Sequence, residues 1–198
     1  MNNYEYIIAS LPDFTPDKGP AAESPEEIIE FVHSQLEEKD LALAGILEDG
    51  WNGDKLNLEF YEQALAQKNR FLREYFAFDL AVRNAKVRHL NKALGRPEDT
   101  DIFLPIEEPD QELEATLDKI YEDTDILAKE RAIDRLVWDR IDEITTFDYF
   151  DIDAILGFLA KLHIAQRWMV LDEESGRAMF RQLTQEVRST FKGVNYEQ

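Results

Sequence analysis

Cysteine is absent from the 198-residue chain, which removes disulfides, thiolate nucleophiles and zinc–sulfur sites from consideration. Glycine is scarce, at eight residues, and none falls into a Walker A loop, a Gly-x-Gly-x-x-Gly or a Gly-x-Ser-x-Gly. Nucleotide binding and serine hydrolysis therefore lack their usual frames. No apolar run approaches the roughly 20 residues that cross a bilayer. The opening Met1-Asn2-Asn3-Tyr4-Glu5-Tyr6 has no basic n-region, and the apolar run after it is too short for a signal peptide. A soluble, cytoplasmic protein is expected. Positive charge is also short, with 22 Lys and Arg against 42 Asp and Glu, a net of −20. That balance disfavours a broad nucleic-acid or anionic-membrane surface, because both need clustered cations.

What is present can build a core: 44% of residues are hydrophobic and 11% aromatic, enough for one large domain or two small ones. The charge is unevenly placed. Residues 1–66 carry a net of −12 and residues 97–130 a net of −11, whereas residues 67–96 hold eight Lys and Arg against two acids. Residues 131–198 are near balance at −3. The basic stretch overlaps Leu58–Leu94, which contains neither proline nor glycine and is dense in helix formers and aromatics. One unbroken helix there would reach roughly 55 Å at about 1.5 Å per residue. A compact chain of this length spans only about 40 Å, so the expectation is an elongated molecule.

Elsewhere the pattern is all-α. Tyr4–Leu11 has the aromatic and β-branched bias of a short strand or extended arm, and Pro12, Pro16, Gly19 and Pro20 then make a loop. Ser24-Pro25-Glu26-Glu27 reads as a capping box opening a helix to about Glu38. A short helix over Leu41–Leu47 ends at Gly50-Trp51-Asn52-Gly53. Gly95-Arg96-Pro97 stops the long helix. Residues 97–112, acidic and carrying Pro97, Pro105 and Pro109, form a loop at which the otherwise single domain 1–198 could subdivide. Helical patterning resumes near Gln111, breaks near Asp123-Thr124 and is interrupted again at Thr145-Thr146-Phe147. Asp151 caps a helix over Ile152–Val170, and a last helix is expected from Glu173 to Phe191, followed by a frayed tail.

Candidate chemistry is thin. Glu30 and His33 have the Glu-x-x-His spacing of di-iron bundles, but such sites need a second motif. Neither His89 nor His163 has a glutamate three residues earlier. Asp148, Asp151 and Asp153 lack the central glycine and distal glutamate of an EF-hand loop, and helix capping accounts for Asp151 and Asp153. Neither a metal nor a cofactor is expected, and an enzyme is disfavoured. Within the long helix, residues 71–84 are apolar on more than one face, so the segment is either surrounded by helices or partly open to a partner. Asp79 and Arg83 can pair at i, i+4, while Arg73 and Asn84 would need partners from other helices. The basic residues Arg83, Lys86, Arg88, Lys92 and Arg96 are the candidate partner-binding face. Packing of that face against the chain's own acidic stretches is the alternative.

Three segments carry a family resemblance: Tyr6-Ile-Ile-Ala-Ser-Leu-Pro-Asp-Phe14, Phe71-Leu-Arg-Glu-Tyr-Phe-Ala-Phe-Asp-Leu-Ala-Val-Arg-Asn84, and Trp138-Asp-Arg-Ile-Asp-Glu-Ile-Thr-Thr-Phe-Asp-Tyr-Phe-Asp-Ile-Asp-Ala-Ile-Leu156. Together they resemble an uncharacterised bacterial family encoded beside the subunits of vacuolar-type (V-type) ATPases and thought to stand in for the linking subunit of the central stalk. The resemblance implies a non-catalytic, helical adaptor that joins the rotor shaft to the membrane ring. Its partners would be other V-type ATPase subunits, and it would sit peripheral to the membrane through that complex. A helical regulatory or scaffolding protein unrelated to an ATPase is the second reading.

Overall fold

The computed structural model describes residues 4–21, 24–102, 104–105, 110–170 and 184. Among these, eight helices occur and no strand: α1 (Glu5–Ser10), α2 (Pro25–Gln35), α3 (Glu38–Asp49), α4 (Leu58–Leu65), α5 (Arg70–Ala93), α6 (Gln111–Tyr121), α7 (Ile126–Thr145) and α8 (Ile152–Val170). The all-α expectation holds. Of the helix expected over Glu173–Phe191 only Thr184 is among the described residues, and it is helical; the rest of that helix and the tail after it lie outside them.

Two expectations are corrected. The unbroken helix over 58–94 is two helices, α4 and the 24-residue α5. The break is made by capping rather than by proline or glycine. Asn69 takes extended backbone angles, and its side-chain oxygen accepts the Leu72 N–H at 2.9 Å. Its amide nitrogen donates to Asp153 at 2.5 Å, which holds the cap from outside. Asn57 caps α4 in the same way, through Phe60 N–H at 2.9 Å. An elongated molecule no longer follows, because α5 alone is only about 36 Å long. Second, the N-terminal segment is helical, not extended. Tyr4, Ile7, Ile8 and Leu11 recur at helical spacing, and Tyr4 and Ile7 are buried. Tyr4 N–H donates to Phe150 O at 2.8 Å and its hydroxyl to Asp40 at 2.5 Å, tying α1 to the α7–α8 turn and to α3.

The polar signals set the remaining boundaries. Ser24 and Glu27 form both halves of the capping box. Asp110 and Asp125 cap α6 and α7 through backbone N–H groups at 2.9–3.1 Å. Gly95, at φ +66°, closes α5. Gly95 N–H reaches Lys92 O at 3.2 Å and Arg96 N–H reaches Asn91 O at 2.9 Å, the doubled pattern of a Schellman end that needs a left-handed residue.

Helix α5 is the axis of the described structure. It buries Phe71, Leu72, Tyr75, Phe76, Leu80, Val82 and Ala85, because α4, α6, α7 and α8 all pack on it. That is why residues 71–84 are apolar on more than one face, while Arg73, Ala77 and Arg83 stay exposed. α7 runs antiparallel to α5: Arg70 donates to Ile144 O at 2.9 Å, Glu74 meets Arg140 at 3.8 Å, and Lys86 meets Glu130 at 3.9 Å. α8 runs antiparallel to α7, with Lys161 on Asp142 and Arg167 on Asp134. The connector after α5 folds back along it. Buried Asn91 donates to Glu98 O and Thr100 O, and buried Asn84 to Leu104 O. No described helix is long and apolar enough to cross a membrane.

Candidate functional site

The five basic candidates lie on the second half of α5 and just past its end. Arg83 Nε is 2.7 Å from Asp79 Oδ2, an oxygen that also accepts the Tyr61 hydroxyl. Burial works against the Arg83 charge, but Asp79 beside it, together with Tyr61 and Tyr75, raises the guanidinium's pKa on balance. Lys86 faces Glu130 at 3.9 Å. Arg88 bridges Asp99, at 3.1 Å, and Glu114. Arg96 is 3.8 Å from Asp101. Lys92 is exposed and makes no ion pair among the described residues. Asp99, Asp101, Glu114 and Glu130 all come from the acidic stretch 97–130, so much of the charge anomaly is matched inside the chain. Exposed pairs of this kind contribute about 0–1 kcal/mol each; their role is register more than stability. Arg73, expected to need a buried partner, is instead exposed and donates to Gln67 O at 3.1 Å.

The histidines and aspartates separate rather than cluster. His33 Nε2 lies 2.8 Å from Glu48 Oε1 on α3, close but out of line for a hydrogen bond, and Glu30 is exposed. His89 tilts against Tyr121 at 4.9 Å. Asp148 and Asp153 both reach Arg70. Burial lifts the Asp153 carboxyl above the usual range, with Asn69 and Arg70 opposing. Asp151 accepts Ala154 N–H at 3.2 Å, the expected cap. Among the described residues no three His, Asp or Glu side chains form a group that could hold a metal.

Among the hollows that open against α5, two are large enough to describe. The larger, about 850 Å³, lies over Phe78, Ala81, Leu113 and Leu136, with Glu74, Glu143 and Arg140 at its edges. Arg140 is tied to both of those glutamates, at 3.8 and 3.0 Å. The smaller, about 350 Å³, is lined by Trp51, Tyr75, Tyr121, Asp134, His163 and Arg167 among others. Trp51 and His163 stack face to face at 4.2 Å and 3°. Trp51 Nε1–H is buried without a hydrogen bond of sound geometry, although it sits close enough to the Tyr75 hydroxyl to ease that group's ionisation slightly. Burial dominates for both tyrosines: it raises Tyr75, and it pushes Tyr121 up to about 12, helped by Glu130 and Asp118. Asp134 is also raised by burial, while Arg167 and the Trp168 N–H pull the other way. These groups are held in their neutral or ion-paired forms, and none is aligned as a nucleophile with its base.

His163 has a stability consequence. Burial, with Arg167 nearby, lowers its pKa from 6.5 to about 4. As pH falls, the unfolded chain takes up this proton first, so the contribution of neutral His163 is complete above 6.5 and is lost as pH falls toward 4. Asp134 and Asp153, raised by burial, act in the opposite direction. Acidification from pH 7 to 4.5 is expected to cost wild type about 2 kcal/mol more than His163→Gln, the carboxylate terms cancelling in the comparison. Urea unfolding of both proteins at both pH values measures it; equal acid losses would refute a neutral buried imidazole.

One surface feature escaped sequence reasoning. The α7–α8 turn exposes Phe147 (85%), Tyr149 (64%) and Phe150 (49%), and Tyr6 on the attached α1 is 78% exposed. In the sequence this segment reads as a helix interruption, a candidate carboxylate cluster and part of a resembling segment, not as an exposed aromatic surface. The aromatic run Phe147-Asp148-Tyr149-Phe150 would have been the signal, since a turn between two packed helices ordinarily carries small polar residues.

The model of a family described as "protein of unknown function (DUF2764)" matches residues 48–190, and the chain belongs to that family. No curated protein and no solved structure matches it.

Proposed function

We propose that this family member is a non-catalytic helical adaptor, the counterpart in a V-type ATPase of the central-stalk piece that links the rotor shaft to the membrane ring. The observation that carries the reading is where the three resembling segments meet. Phe14 packs edge-on against Trp138 and Phe158 at 5.7 and 5.3 Å. Arg70, next to the second segment, reaches Ile144 O, Asp148 and Asp153 in the third. Segments far apart in sequence thus build one packed end around the start of α5, and α5 extends from it as a strut braced by Glu74–Arg140, Lys86–Glu130 and Arg88–Glu114. A braced strut transmits force through packing, with no reaction required.

The basic residues Arg83, Lys86, Arg88, Lys92 and Arg96 remain the proposed docking face at the other end. Within it Lys92 is the discriminating position, because reversing its charge breaks no ion pair among the described residues. The test is a tagged pull-down from native membranes in mild detergent. Near-stoichiometric recovery of shaft and ring subunits, reduced by high salt and by Lys92→Glu with Arg96→Glu, is expected. Recovery of unrelated proteins, or of the chain alone, would leave a helical scaffold outside any ATPase.

A further inference from the structure

Resting on the adaptor reading, we infer that the aromatic corner formed by Phe147, Tyr149 and Phe150 is a second docking surface, and that it fits a protein partner presenting an apolar groove edged by lysine and arginine. The corner is fixed in place. Tyr4 N–H holds Phe150 O, Asp148 holds Arg70, and Thr146 Oγ1 donates to Asp142 O at 2.7 Å. Three large aromatic side chains within four residues are therefore presented from a braced turn, which lowers the ordering cost of binding through them. Aromatic residues of this kind dominate interface energetics once buried.

Charge decides the class of partner. Exposed aromatics on a turn also suit a membrane interface, but residues 139–153 contain six carboxylates and one cation, Arg140. The cations that reach them from outside are Arg70, Arg135 and Lys161, which leaves the surround negative. Anionic headgroups are repelled by such a surface, and so is a second copy of a chain with net charge −20. A cationic rim around an apolar groove is the complement. The corner lies at the α5 start, and Lys92 lies near its end, so the two surfaces are separated by about the length of that helix, roughly 36 Å. That is the arrangement a linker between two partners requires.

The test replaces Phe147 with the photo-reactive analogue p-benzoylphenylalanine in the full chain, in cells, with the same analogue at exposed Lys39 as control. The adduct is then mapped. The expected result is a protein adduct at Phe147, absent at Lys39, on an apolar segment flanked by Lys or Arg. Phe147→Ser with Tyr149→Ser should cut retention of that same partner about tenfold or more, with helicity and melting unchanged. An adduct on a rotor protein of the ATPase supports both readings. An adduct on another protein with such a segment keeps this inference and removes the ATPase assignment. A lipid adduct, a self-adduct, no adduct, or full retention by the double variant overturns the inference, while the membrane pull-down continues to decide the adaptor reading separately.

Discussion

Phe71→Ala is expected to lower the free energy of unfolding by about 3–5 kcal/mol, the range for truncating a fully buried aromatic. Phe71 is 0% exposed and stacks on Tyr75 at 5.7 Å and 13°. It also faces Gly157 on α8, where a Cβ would lie 3.5 Å from Phe71 Cε2. The ring therefore fills the place where α5, α7 and α8 come together, and neighbours braced by Arg70 cannot collapse into the space it leaves. Urea unfolding should give a lower midpoint at an unchanged slope. A loss below about 1 kcal/mol would mean that this junction is loosely packed.

The second large effect is expected at Gly157. Its helix lies so close to α7 that a Cβ would stand 2.7 Å from Thr145 Cγ2 and 3.4 Å from Ile141 Cγ2. The Thr145 methyl cannot easily turn aside, because Thr145 Oγ1 donates to Ile141 O at 2.8 Å and sets the rotamer. Gly157→Leu should cost about 3 kcal/mol or more by forcing α8 off α7. Gly157→Ala carries the same Cβ contact at 2.7 Å and should also destabilise, by less than Gly157→Leu because the helix-propensity gain of about 1 kcal/mol offsets part of the clash. Thermal melts of the two variants beside wild type separate the cases. Near-wild-type melting by Gly157→Leu would contradict the close α7–α8 approach.

Local polar signals made much of the fold legible from sequence. Ser24 with Glu27, Gly95 before Pro97, and Asp151 each set the boundary their chemistry predicts. The long-helix reading failed at Asn69 because it weighed only proline and glycine as breakers. An asparagine cap needs no special composition, and the tertiary bond to Asp153 that fixes it is 84 residues away in sequence. The N-terminal helix was missed because β-branched bias outweighed the spacing of Tyr4, Ile7, Ile8 and Leu11. The candidate site was legible in part. The i, i+4 pairing of Asp79 with Arg83 is local and readable. The pairing of Arg88 with Asp99 and Glu114 depends on a connector that folds back on α5 under Asn84 and Asn91, and no periodicity announces that. The aromatic run Phe147-Asp148-Tyr149-Phe150 was legible in the sequence, but its exposure was not, because exposure belongs to the assembled helices.

The central claim is that this chain is a physical link. Membranes from cells lacking the chain would be supplemented with the purified protein, and the fraction of V-type ATPase head subunits sedimenting with the membrane would be measured. The adaptor account predicts low retention without the chain and restored retention with it, saturating at a fixed stoichiometry per rotor. Equal retention with and without the chain would contradict it.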